Sequence, residues 1–325
     1  LIQVIGKDGK MTAAAGSEYE GLGVEDAREK VVAWLESEGL MEKVEEVAQN
    51  VATSDRFGDV VEAIPMTQWW LDVNKEIPSR GKTLRQLMKE AVTSGIEGDE
   101  QKKVTVTPER FTKLYLDRVD NLRDWCLSRQ IWWGHRIPVW YKGEEMHVGI
   151  SAHEGDGWTQ DEDSLDTWFS SGSCTFSTLG WPDETADLQT YYPTTCMQMG
   201  YEILYLWLMR MILMSSYVFN DIPFRDAYIH GMLRDKEGQK FSKSAGNGID
   251  PLEVIEQYGA DALRYSLIAG VSPGNDARFY MEKVEGSRNL VNKFWNVCRF
   301  ILLNIEMTKY YIAESMPHTL GYKWI

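Results

Sequence analysis

At 325 residues and a formal net charge of −15, the chain is long enough for one large or two ordinary domains, and too acidic to coat nucleic acid indiscriminately. Its four cysteines (Cys126, Cys174, Cys196 and Cys298) are widely spaced without a CxxC pair, which argues against a disulfide framework or a zinc knuckle and fits a reducing cytoplasm. The most apolar run, Ile203 to Met214, is short and contains Arg210, so it reads as buried helix rather than membrane span.

The chain opens on strand-like LIQVI at Leu1, followed by an Asp8-Gly9 turn, and reads as an internal piece of a longer polypeptide. Val24 to Glu38 has helical period, with Val24, Ala27, Val31 and Leu35 on one face and Gly39 beyond its end. Val60 to Asp72 is strand-like, Leu84 to Val92 a short helix, and the polar Thr93 to Lys103 a loop. Gly81-Lys82-Thr83 has the end of a phosphate-binding Walker motif, but Glu76 stands where that motif needs glycine, so the match is rejected.

Pro108 to Asp124 reads as a basic helix leading into the aromatic segment Trp125 to Tyr141. From Gln101 to Gly143 nine Lys/Arg face four acids, a local surplus that suits either a polyanion or a merely solvated helix face. His147 and His153 lie in a polar excursion without a third ligand at useful spacing, so no metal site is assigned. Asp166 to Phe176 reads as an aromatic turn, Tyr191 to Phe219 as a strand entering a long helix, and Tyr228 to Gly231 as a buried strand. This alternation predicts a parallel α/β sheet. Beyond Phe279 helical period dominates, which suggests a separate helical domain.

One loop stands out. Lys240-Phe241-Ser242-Lys243-Ser244, followed by Gly246 and Gly248, puts two compact cations among small residues that allow close approach to a ligand. Asp250 and Pro251 then read as the N-cap and first residue of a helix. Taken alone, a KxxKS run is better explained by a solvated turn; a flanking strand and capped helix shift the balance toward a phosphate clamp.

In order, these segments resemble the class I aminoacyl-tRNA synthetases, and within them the valine-specific family. Lys240 to Ser244 resembles the family's KMSKS loop, with Phe241 at the usual Met position. Asn121-Leu122-Arg123-Asp124-Trp125 through Gly134-His135-Arg136-Ile137-Pro138, Asp161 to Ser171, Phe176 to Pro182 and Gly200 to Trp207 all resemble valine-type segments. The resemblance runs over nearly the whole chain. It implies the second half of a parallel, Rossmann-like nucleotide-binding sheet, with the family's HIGH motif upstream of Leu1. Residues 1–60 would be the tail of an editing insertion, 61–120 its return connection, 121–278 the catalytic domain and 279–325 the start of an α-helical anticodon-binding domain.

The implied reaction joins valine to tRNA(Val) at the expense of ATP, with Mg2+ on the phosphates, in a cytoplasmic monomer. The chain expressed alone is expected to be inactive. By the resemblance Lys240 and Lys243 offset phosphate charge, and Gly200, Glu202, His230, Gly231, Phe241, Ser242 and Ser244 complete the ATP site. Glu202 departs from the family's usual Asp. Ile203 and Trp207, four apart and so on one helix face, would wall the valine pocket opposite Trp168. Trp69, Trp133 and Trp181 read as core packing. The alternatives are an isoleucine- or leucine-type ligase, or a non-catalytic RNA-binding paralogue.

Overall fold

Residues with alternating burial between Thr105 and His230 build the sheet that organises the larger part of the chain. In the computed structural model, which describes residues 2–54, 58–241 and 246–307, two units separate: Leu1–Trp69 and Trp70–Ile325.

In the first unit, helix α1 (Val24–Ser37) forms as expected, but its apolar stripe is scarcely used: Ala27 alone is buried, while Val31 and Trp34 are exposed. The predicted N-terminal strand reduces to a bridge between Ile5 and Met11 around the Gly9 turn. Val60 contributes a bridge to Thr53, and in place of the long strand expected from Val60 to Asp72 only Trp70–Leu71 is a strand, assigned to the second unit.

In the second unit α2 (Leu84–Glu90) starts at Thr83, whose hydroxyl accepts from Gln86 N (3.2 Å) while Gln86 Oε1 accepts from Thr83 N (2.8 Å). That reciprocal cap, with Lys82 paired to Glu90 at 2.8 Å, shows what the Gly81-Lys82-Thr83 run does: it ends a hairpin and starts a helix. Strand β1 (Thr105–Thr107) follows, within a stretch whose polar lead-in concealed it, and then α3 (Arg110–Asp120), which buries Phe111, Tyr115 and Val119 at fourfold spacing. Helix α4 (Thr167–Ser177) occupies the stretch expected to be a turn. Strand β2 (Thr194–Gly200) runs through a 3-10 turn and a π turn into α5 (Met209–Val218), and β3 (Phe224–His230) returns.

The three strands pair in the order β2, β3, β1, all parallel, with Gly200 opposite His230 and Tyr228 opposite Thr107. Val106, Met199, Ala227 and Ile229 lie on one face, buried in an apolar core shared with residues of α2, α3, α4 and α5. The other face presents Thr105, Thr107, Cys196, Gln198 and Asp226 to solvent. Helices α6 (Pro251–Tyr258), α7 (Ala260–Ile268) and α8 (Met281–Met307) form a smaller cluster around Val254, Leu263, Phe279 and Val284. Asp250 caps α6 through Leu252 N at 2.8 Å, with Pro251 at its first position, as the sequence predicts.

Two expectations about tryptophans fail. Trp133 is 88% exposed and Trp181 40% exposed, so neither is core, and Trp132 is 98% exposed. Both Trp132 and Trp133 fall in a non-helical, non-strand segment between two short strands, Ser128–Arg129 and Val139–Lys142, where no side-chain periodicity applies. Among the described residues no helix is long and apolar enough to cross a membrane.

Candidate active site

Parallel strands deliver ligands to their carboxyl ends, and Gly200 and His230 end β2 and β3 side by side. Beyond Gly200 the chain turns through Tyr201-Glu202-Ile203, and beyond His230 it passes Gly231 and Met232 into a short strand, Leu233–Arg234. The Lys240 ammonium meets Glu202 at 2.9 and 3.1 Å, joining the loop's first lysine to the second residue beyond the sheet's edge strand. Both side chains are substantially exposed, at 55% and 37%, so the pair is worth no more than about 1 kcal/mol and yields readily to a better partner for either charge.

A carboxylate that sequence reasoning passed over, Asp276, braces this region. It accepts from Met232 N (2.7 Å), from Tyr201 Oη (3.2 Å) and from Arg234 Nε. Burial opposes its ionisation, but those donors together hold it below the ordinary carboxylate range. The same contacts raise Arg234, chiefly the bond to Asp276. Gly231 is the counterpart: a Cβ there would lie 2.0 Å from Asn275 O, so glycine is needed for this backbone to pack against the Asn275-Asp276 segment. At Gly200 a Cβ would meet side chains alone, Met232 Sδ at 3.1 Å and His230 Cε1 and Nδ1 at 3.5 and 3.9 Å. His230 Nδ1 donates to Gly231 O at 2.7 Å, which fixes its ring.

The described flanks of the basic loop are tied together at the base. Asp235 accepts from Gln239 N (2.6 Å) and Asn247 Nδ2 (3.0 Å), and Asn247 also donates to Lys240 O at 3.2 Å. The bond from Asn247 leads the contacts that lower Asp235. Phe241 packs into the α6–α7 cluster beside an open apolar cavity of about 310 Å3 lined by Leu233, Ile249, Val254 and Phe279. Ser242, Lys243 and Ser244 lie outside the described residues.

Trp168, Ile203 and Trp207 all pack, partly buried, against the large core. Two of them hang on α4. Asp166, 6% exposed, caps that helix by accepting from Trp168 N at 3.0 Å, and Trp207 Nε1 donates to Ser171 O at 3.0 Å. Asp166 also accepts from Trp125 Nε1 (2.9 Å) and Arg129 (2.7 Å). Arg210 lies over the Trp125 ring at 3.6 Å. Burial pushes the Arg210 guanidinium down to about 10, against the pull of Asp166 and with a further push from Arg129, so it stays charged at neutral pH. Asp166 would have been legible as an N-cap only had the stretch after it read as a helix and not a turn; Arg210 was legible only as the one charge in an apolar run.

Much of the local cation surplus serves the fold: Lys102 donates to Asn220 O, Arg110 to Asn275, Arg129 to Asp166 and Arg136 to Asp161 O, while Arg118 lies over Tyr205. His147 and His153 come within 5.0 Å, centroid to centroid, beside Trp158, and among the described residues no group of three His, Cys, Asp or Glu is placed to hold a metal.

A family model described as tRNA synthetases class I (I, L, M and V) matches residues 17–157 and 151–280. The chain belongs to this family. Curated relatives agree with one another: the valine–tRNA ligase of Symbiobacterium thermophilum is 47% identical over 93% of this chain and 32% of its own length. That of Halalkalibacterium halodurans is 47% identical over 95% and 34%, and that of Clostridium acetobutylicum 42% over 100% and 36%. The chain thus spans about a third of the length of these relatives. Among solved structures, Mycobacterium tuberculosis methionyl-tRNA synthetase in complex with methionyl-adenylate aligns with a TM-score of 0.53, 20% identity, 75% of this chain and 41% of that one. An Agrobacterium radiobacter LeuRS–tRNA–LeuAMS complex aligns at 0.50 and 22%, over 57% and 29%. These two carry the fold: an α/β, nucleotide-binding type.

Proposed function

We propose that this chain is the phosphate-clamping and side-chain-selecting part of a valine–tRNA ligase, which activates valine with ATP and passes it to tRNA(Val). One observation carries the reading. Lys240 and Glu202 meet at the carboxyl ends of β2 and β3, and Trp207, five residues after Glu202, bonds the helix that bears Trp168. A nucleotide at that end would take both partners of the pair, Glu202 by its ribose hydroxyls and Lys240 by its phosphates. The exchange costs little because the pair is exposed. The valine–tRNA ligase relatives support the choice of amino acid over isoleucine or leucine.

The protein's share of adenylate formation is charge stabilisation and alignment. Lys240 and Lys243 would offset charge growing on the leaving phosphates. Mg2+ would arrive with ATP, whose oxygens supply most of its donors. A wall of indoles excludes isoleucine by shape; threonine, nearly isosteric with valine, is rejected only about 10²-fold by an apolar pocket. That limit accords with residues 1–60 being the tail of an editing domain. Residues 61–120 would return to the catalytic domain at 121–278, and 279–325 would begin an anticodon-binding domain. A cytoplasmic monomer completes the reading.

The test is amino-acid-dependent pyrophosphate exchange in the full-length enzyme. Valine should be preferred, and Trp168→Leu and Trp207→Leu should each raise the isoleucine-to-valine ratio of kcat/KM. One methylene commands roughly 10–200-fold. No exchange with valine refutes the function; exchange with an unmoved ratio in both variants makes these tryptophans structural.

A further inference from the structure

Resting on that reading, the pocket raises a question its walls do not answer: what holds the two indoles at a fixed separation. Trp168 and Trp207 belong to different elements, α4 and the π turn before α5, yet both are fastened to α4. Trp207 is fastened by its indole N–H to Ser171 O, and Trp168 by its own backbone N–H to Asp166 Oδ1. Asp166 is itself held from outside α4, its Oδ2 accepting from Trp125 Nε1 and Arg129. Trp125 is in turn covered by Arg210, which lies one helical step beyond Trp207. At Gly172 the two helices run so close that a Cβ would sit 3.2 Å from Arg210 Cβ and Met214 Cγ. The buried carboxylate therefore ties α4 to the elements around it: Asp166 holds Trp168 N and Trp125, Ser171 holds Trp207, and Arg210, three residues past Trp207, covers Trp125.

We propose that Asp166 is a positioning residue for amino-acid selection, setting the gap between Trp168 and Trp207 without touching the substrate. A buried carboxylate that loses its donors, or donors that lose their carboxylate, must rearrange. Here the rearrangement frees the first turn of α4 and lets Trp168 move against Trp207. Asparagine keeps an oxygen for the cap, since it is as good an N-cap as aspartate. Its amide cannot accept from both Trp125 and Arg129 while also facing Trp168 N.

The experiment compares valine- and isoleucine-dependent pyrophosphate exchange in full-length Asp166→Asn and Asp166→Ala enzymes, with Trp207→Leu alongside. The isoleucine-to-valine ratio of kcat/KM is the readout, because a smaller folded fraction lowers both rates equally and leaves it unchanged. The expected result is a ratio raised about tenfold in Asp166→Ala, within the range one methylene commands, and by less in Asp166→Asn, mainly through KM. A ratio at the wild-type value in both Asp166 variants, while Trp207→Leu moves it, overturns this inference and leaves the pocket standing. A ratio unmoved in all three variants removes the pocket reading as well. Loss of valine activation in both Asp166 variants, with an unchanged circular dichroism spectrum, assigns Asp166 to the chemistry or to assembly of the site, and overturns the inference too.

Discussion

Gly200 and Gly231 sit one residue apart in structural register but for different physical reasons, and alanine at each position separates them. On Gly231 a Cβ would lie 2.0 Å from Asn275 O, 2.1 Å from its carbonyl carbon and 2.4 Å from Asp276 N, where ordinary contact begins at 3.4 Å. All three are backbone atoms, so no rotamer relieves the clash and the segments must part by about 1.4 Å (3.4 − 2.0). The 2.7 Å bond from Met232 N to Asp276 then stretches to about 4 Å, outside hydrogen-bonding range. Losing a charge-assisted bond costs about 1.5–3 kcal/mol, and overpacking a further 1–3 kcal/mol or so. A combined effect of about 3 kcal/mol is roughly two decades in a local opening equilibrium. Hydrogen exchange read by mass spectrometry on a peptide spanning 225–235 of the full-length enzyme should show it as an approximately hundredfold loss of protection at Met232. At Gly200 the nearest atom is the sulfur of a flexible methionine at 3.1 Å, so Gly200→Ala should leave that protection within about threefold and raise the KM for ATP instead. Protection in Gly231→Ala within threefold of wild type would refute the packing argument.

Lys243→Ala is expected to slow valine-dependent pyrophosphate exchange by about 10²–10³-fold, the usual effect of removing one charge-stabilising contact, with KM for valine nearly unchanged. An exchange rate within a few-fold of wild type would remove Lys243 from the mechanism. Asp276 supplies a pH dependence: its folded pKa lies below the ordinary 3.8, so its stabilising contribution is complete above 3.8 and fades as the pH falls through the folded value. Protection of the Met232 amide, corrected for intrinsic exchange, should therefore hold above pH 4 and fall below it; Asp276→Asn should abolish that step.

Long-period features were legible before any coordinates. Asp250-Pro251 announces α6, and apolar residues recurring near helical period announce α1 and α8. The alternation of strand and helix announces a parallel sheet. The failures share a cause, which is that short elements owe their existence to partners far along the chain. Thr105–Thr107 is a strand because Asp226 to Tyr228 pairs with it, 121 positions later, and no local pattern in three residues can report that. Trp70–Leu71 is likewise fixed by Trp125–Cys126. The stretch from Asp166 to Phe176 reads as an aromatic turn, and its serines and glycine disfavour helix interiors. It is helical because Asp166 caps it and Ser170, Ser171 and Ser173 satisfy their hydroxyls on carbonyls three or four positions back.

The same reasoning explains why half of the site could be named in advance and half could not. Residues proposed to meet a ligand carry that role in their own chemistry, as Lys240 and Glu202 do; the helix face expected to join Ile203 and Trp207 is instead broken, with Ile203 ending a 3-10 turn and Trp207 in the π turn after it. Residues whose role is to hold others carry it in their partners. Asp166 draws its donors from positions 125 and 129, Asp276 from 201, 232 and 234, and Asn247 reaches back to 235 and 240. For such residues a one-atom substitution is the informative probe. Exchanging Asp166 or Asp276 for asparagine preserves volume and an acceptor while changing which donors can stay, so any effect reports on the partners and not on space.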